Sequence, residues 1–186
     1  FDSQDLWKTH GIWVCGDQTN GSFGPSSGKS GNTVCGTQLN ANYRKSANSG
    51  LASPQIDLTG STNPELSFWM SADTQNSNDV AWLAISLNGG SWIIVEYADT
   101  AVSGVGFTQD NSGDGQWEGT IDSGNWGKVK VDLLNMTTTG LTGITTSDTI
   151  SVAIGFYSNS STQKPGIYID DFAVKEYVAN PYYWTG

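Results

Sequence analysis

Leu51-Ala-Ser-Pro-Gln-Ile-Asp-Leu58 and, after a polar turn, Leu66-Ser-Phe-Trp-Met-Ser-Ala72 decide how this chain folds. The residue before a proline is pushed toward extended geometry, so Ser53-Pro54 begins an extended segment. Ile56 and Leu58 then alternate with Gln55 and Asp57, which makes one face apolar. Thr59-Gly-Ser-Thr-Asn-Pro64 is a turn cluster. Leu66, Phe68 and Met70 share one face of the next run, and Ser67, Trp69 and Ser71 the other. Two strands of an antiparallel sandwich follow from this pattern, one of them central.

The rest of the chain reads the same way. Val80-Ala-Trp-Leu-Ala-Ile-Ser-Leu87, Asn88-Gly89-Gly90 and Ser91-Trp-Ile-Ile-Val-Glu-Tyr97 make a hairpin, because Asn-Gly favours the turn whose twist suits two strands. Leu83, Ile85 and Leu87 face one side, Trp82, Ala84 and Ser86 the other. Gly127-Lys-Val-Lys-Val-Asp-Leu133 alternates with both lysines on one face. Thr149-Ile-Ser-Val-Ala-Ile-Gly-Phe-Tyr157 turns Ile150, Val152, Ile154 and Phe156 inward, and Ile167-Tyr-Ile-Asp-Asp-Phe-Ala-Val-Lys175 is the last strand. Residues 1–7 are expected to hold the first strand, residues 16–31 a long surface loop and residues 40–50 a polar loop. The Gly- and Asp-rich residues 98–115 are expected to form a mobile excursion. No segment has helical periodicity. The expected fold is all-β, a two-sheet antiparallel β-sandwich of jelly-roll type over residues 1–178, with 179–186 as a linker or stub.

Composition sets limits. The 186 residues suit one large domain. Only 14% are charged, and 23 glycines accompany many Ser, Thr and Asn, which disfavours helices and favours strands joined by tight turns. Net charge is −10, which argues against nucleic acid or an anionic membrane surface as partner and permits a bound cation. No run is long and apolar enough to span a bilayer. Cys15 and Cys35 match no zinc spacing, and one histidine cannot complete a site. They form a disulfide or remain two buried thiols. The Lys-poor, Ser/Thr/Asn/Gly-rich composition favours the disulfide and a secreted or cell-surface setting.

The order of several short motifs resembles a known group. Gly24-Pro25, Gly36-Thr37, Ser53-Pro54-x-Ile56-Asp57-Leu58, Leu66-Ser67-Phe68, Lys128-Val129-Lys130-Val131-Asp132-Leu133, Ile154-Gly155-Phe156 and Tyr168-Ile169-Asp170-Asp171 together resemble the MAM-like jelly-roll domains of secreted bacterial proteins. These include domains attached to immune-inhibitor-A-type metalloproteases and the choice-of-anchor group. The pattern is more distantly similar to calcium-bearing jelly-roll carbohydrate-binding modules. The resemblance implies that the first and last strands adjoin, placing Asp2 beside Asp170 and Asp171. Converging carboxylates of that kind suit a structural Ca2+. The alternative is an aspartate held by backbone amides at a strand end. Asp110 and Asp114 in the Gly-rich loop are a second, weaker carboxylate pair.

Eight tryptophans are many for this length. Flat aromatic rings stack on the apolar faces of sugars, so Trp69, Trp82, Trp92, Trp117 and Trp126 are the candidate ligand-binding residues. Packing between layers is the alternative for each. HExxH is not present, nor is a phosphate loop or dinucleotide fingerprint. Chance pairs are expected among 18 acids, so a carboxylate pair alone does not indicate a glycosidase. The expected protein is not an enzyme but an extracellular module that binds a polysaccharide or glycan. The alternative is an adhesion or accessory domain whose partner is a protein surface.

Overall fold

A computed structural model describes residues 7–18, 22–99, 105–121 and 125–176. Asp2, most of the expected first strand and the tail 179–186 lie outside them. The strands, numbered along the chain, are β1 (Lys8–His10), β2 (Val14–Asp17), β3 (Thr33–Gly36), β4 (Asn48–Ala52), β5 (Ile56–Asp57), β6 (Pro64–Asp73) and β7 (Val80–Leu87). They continue with β8 (Trp92–Ile94), β9 (Gln109–Asn111), β10 (Asp114–Gln116), β11 (Thr120–Ile121), β12 (Gly127–Asp132), β13 (Thr149–Tyr157) and β14 (Gly166–Glu176). One sheet, A, runs β1-β4-β13-β7-β8, with β5 also on β13. The other, B, runs β11-β6-β14-β3-β2, with β12 also on β6. All pairs are antiparallel, β9 and β10 form a separate small hairpin, and the fold is an all-β sandwich.

The core is where the apolar faces meet. Leu66, Phe68 and Met70 of β6 and Ile150, Val152, Ile154 and Phe156 of β13 are fully buried, as their alternation requires. The opening stretch divides between the sheets. β4 and β5 both pair with β13, and the break between them falls at Ser53-Pro54. There Ser53 keeps the ladder alive, because its hydroxyl accepts from Val152 N at 2.9 Å while its own amide donates to Val152 O. Asn88 and Gly89 both have positive φ, and Gly90 N donates to Leu87 O, so the β7–β8 turn is the mirror-image type expected of Asn-Gly.

Two expectations are corrected, and a third lies outside the described residues. The first described strand, β1, pairs with β4, and β14 lies between β6 and β3 in the other sheet. The expected first strand at residues 1–7, with its pairing to the last strand, lies outside the described residues except for Trp7, which meets Phe172 edge-on at 4.7 Å. Residues 105–116 are not a free excursion. Phe107 is buried against Trp117 at 4.3 Å, and the β9–β10 hairpin is tied by Gly115 N to Val95 O. Residues 48–50 belong to β4 rather than to a loop, and Tyr43 just before them is buried, its hydroxyl donating to buried Asp79. Burial, and then that hydrogen bond, pushes the Tyr43 phenol up.

Cys15 and Cys35 are directly opposed on β2 and β3 and form a disulfide, so the edge strand of sheet B is covalently fixed. By loop entropy a bridge over 20 residues contributes about 3 kcal/mol. Cys15→Ser with Cys35→Ala is expected to lower unfolding free energy by about that amount in urea titrations.

Several carboxylates outside the core are held low. Hydrogen bonds from Asn88 and Thr145 lower Asp148, and those from Thr62 lower Glu176. Burial raises Asp99, but hydrogen bonds from Thr138 and Thr137 outweigh it. A depressed carboxylate adds stability above its unfolded pKa and loses it as pH falls through the folded value. The urea midpoint is therefore expected to show no slope from these groups between about pH 5 and 8, and to fall below about pH 4.

Candidate functional site

The two outer faces of the sandwich differ, and the difference starts at one irregularity. In β14, Ile167 and Ile169 point into the core while Tyr168 and Asp170 point out. The register slips between Asp170 and Ala173, and Asp171 has φ +48°. An extra residue at a β-bulge reverses which side chains face in. Beyond it Phe172 and Val174 pack on the core. The expected common face for Tyr168, Asp170, Phe172 and Val174 is therefore corrected.

Tyr168 and Asp170 are outward yet buried, because the loop before β3 lies over them. The Tyr168 ring sits between Gly36 below and Gly24 above, and its hydroxyl donates to Phe23 O at 2.7 Å. Burial pushes this phenol up. The Asp170 carboxylate accepts from Lys29 N at 2.7 Å and Ser30 N at 3.2 Å through Oδ2, and from Asp171 N at 2.7 Å through Oδ1. Ser30 Oγ also donates to Asp171 Oδ1. These amide donors account for the buried charge without a cation. A carboxylate whose oxygens are taken by N–H dipoles does not fit an oxygen cage for Ca2+. Among the described residues no three His, Cys, Asp or Glu side chains converge, and the third expected ligand, Asp2, lies outside them.

The same loop occupies two of the candidate tryptophans. Lys29 Nζ lies 3.8 Å above the Trp69 ring. Trp126 donates from Nε1 to Ser27 O at 3.3 Å and packs on the cluster of Val34, Leu39 and Tyr168. Trp117 is corrected outright. It is fully buried against Phe68 and Phe107, with Nε1 donating to Gly106 O, and reaches no ligand. Asp110 and Asp114 flank the β9–β10 turn, opposite Gly115 and Asn111 rather than each other.

Among the described residues sheet A has no such cover. Its register sets His10, Gly50, Gly155 and Trp82 in one row across β1, β4, β13 and β7. The next row is Lys8, Ala52, Ala153 and Ala84. Small side chains in the middle and large ones at the sides leave a trough of about 290 Å³, lined also by Ser49, Leu51 and Trp92. At ~4.8 Å per strand, the backbones at His10 and Trp82 are ~14 Å apart, with Gly50 and Gly155 between them. The Trp82 indole lies across Gly155, where an added Cβ would fall 2.1 Å from it. Gly50 is different, since a Cβ there would meet only Ile154 O, at 3.9 Å. Trp92, opposite Ser86 on β8, is 50% exposed, and Tyr157 stands exposed on the same face two residues beyond Gly155.

Of the five candidate tryptophans, then, Trp82 and Trp92 share a surface, Trp69 and Trp126 belong to the other sheet, and Trp117 is core. Lys8, His10, Gly50 and Gly155 were not singled out from the sequence. The available signal was a pair of strands with glycine and alanine at successive outward positions, since glycine inside a strand often marks a close approach.

The sandwich is similar to solved structures of two kinds. The carbohydrate-binding module TmCBM61, solved in complex with β-1,4-galactotriose, matches with a TM-score of 0.53 at 12% identity, over 92% of this chain and 88% of its own. A cleaved adhesin domain of Lys-gingipain from Porphyromonas gingivalis matches with a TM-score of 0.50 at 16% identity, over 93% and 92%. A second Lys-gingipain adhesin domain gives 0.52 at 15%, over 91% and 88%. At these identities the likeness is one of fold, a jelly-roll type shared with carbohydrate-binding and adhesin domains. No protein-family model matches the chain, the MAM-like group included, and no curated protein matches it in sequence.

Asp170→Asn keeps the shape but turns an amide group toward backbone N–H donors. It is expected to cost about 2 kcal/mol in chemical denaturation. A saturating chelator is expected to leave the wild-type Tm unchanged, as amide-held carboxylates require; a fall on chelation would return calcium to this site.

Proposed function

We propose that the protein is a non-catalytic extracellular module that binds a glycan along the uncovered face of sheet A. The observation that carries this reading is the trough itself. Two outward indoles, Trp82, which lies across Gly155, and Trp92, stand beside a strip of Gly50, Ala52 and Ala153 that has little bulk to obstruct a ligand. They lie about four residues apart along neighbouring strands, or ~13 Å, the reach of a short oligosaccharide rather than one ring. Sugar rings offer apolar C–H faces to indoles and hydroxyls to the polar rim, as ligand sites with an apolar body and few polar groups do.

The lining holds no carboxylate, so the acid–base pair that glycosidases use has no counterpart in it. The disulfide suits an oxidising compartment, which supports a secreted or surface setting. No helix among the described residues is long and apolar enough to cross a membrane. A carbohydrate-binding module and adhesin domains on the same fold are in keeping with a binding role, although fold alone does not choose the ligand.

Affinity electrophoresis against a polysaccharide panel tests the reading, with β-1,4-galactan as the first neutral probe. Trp92→Ala removes an exposed ring without opening the core and is expected to weaken binding about tenfold. Gly50→Val fills the floor at a position with room for the side chain. It is expected to keep the wild-type Tm and abolish retardation. Retardation unchanged in both variants would overturn this placement of the ligand.

A further inference from the structure

The lining of the trough runs against the net charge of the chain. The chain carries 18 acidic against 8 basic residues. Yet no lining residue is acidic, and the wall facing the indoles is made by Lys8 and His10, the only histidine in the sequence. They stand two residues apart on edge strand β1, both outward and exposed, in register with Ala52 and Gly50 of the floor. Neither ion pair among the described residues involves Lys8, so its charge faces the trough uncompensated by a described carboxylate. A ligand lying on Trp82 and Trp92 therefore presents its far edge to an ammonium and an imidazole.

On this basis, and resting on the glycan reading above, we propose that the trough selects an acidic polysaccharide, whose carboxylate or sulfate meets Lys8 and His10 while the ring faces lie toward the indoles. The net charge does not forbid this. At physiological ionic strength the field of distant carboxylates is screened beyond about 8 Å, so the groups on the wall decide.

Affinity electrophoresis and calorimetry with three polymers, neutral galactan, polygalacturonate and a sulfated galactan, test the idea in wild type, Lys8→Gln/His10→Gln, Lys8→Arg and Gly50→Val. Wild type is expected to bind at least one acidic polymer roughly fivefold tighter than the neutral one, the scale of one or two exposed charge contacts. That preference is expected to shrink with added NaCl, to vanish in Lys8→Gln/His10→Gln, and to survive in Lys8→Arg, all with an unchanged melt. Which acidic polymer is preferred distinguishes carboxylate from sulfate. Equal binding of neutral and acidic polymers that Gly50→Val abolishes would overturn the selection of an acidic ligand and leave the trough as a glycan site. Binding of every polymer that Gly50→Val leaves intact would overturn both.

Discussion

The carboxylate of Asp170 holds three backbone N–H groups, and much of the molecule's asymmetry depends on that grip. It fastens the loop before β3 over the outside of sheet B, where Tyr168, Trp69 and Trp126 are used to seat it. A buried carboxylate is tolerated only when donors replace its lost water, and here the loop backbone supplies them. The loop is thus ordered by the charge it neutralises. Among the described residues the result is a sandwich with one covered outer face and one bare one. The bare face is the one proposed above for a glycan.

The bare face is shaped by subtraction. On β4 and β13 the inward residues are full-sized, Leu51, Ile154 and Phe156, because the core demands it. The outward residues beside them are Gly50, Ala52, Ala153 and Gly155. Nothing in strand propensity favours glycine there. A strand that keeps a complete inner face and gives up its outer one makes room above the sheet, and the flanking strands carry the large groups that bound it.

Much of this architecture was legible from alternation alone. The inward sets of β6, β7 and β13 follow directly from period two, and the β7–β8 turn from Asn88-Gly89. The cysteine pairing followed from composition and compartment rather than from the strands. What alternation could not show was a break in itself. The bulge at Asp171 changes parity within one strand, so Tyr168 and Phe172 look equivalent in the sequence and lie on opposite faces in the fold. Nor can a strand pattern tell an outward tryptophan that is covered by a distant loop, as Trp69 is, from one that is open, as Trp92 is. Trp117 belonged to no alternating run and gave no sign of its burial. The trough was missed because its defining residues are small, and absent side chains leave little pattern to read.

The order of strands carries one more consequence. β13 lies at the middle of sheet A and β14 at the middle of sheet B, although both come last among the described strands. Until residues 149–176 have left the ribosome, β4 lacks its link to β7 and β6 its link to β3, so neither layer exists as a continuous ladder. Contacts this distant in sequence close slowly, and the waiting strands offer unpaired edges to other chains meanwhile. A nascent chain of this kind stays vulnerable to association until its final segments slot into two gaps already framed for them, and the two layers are then completed almost together.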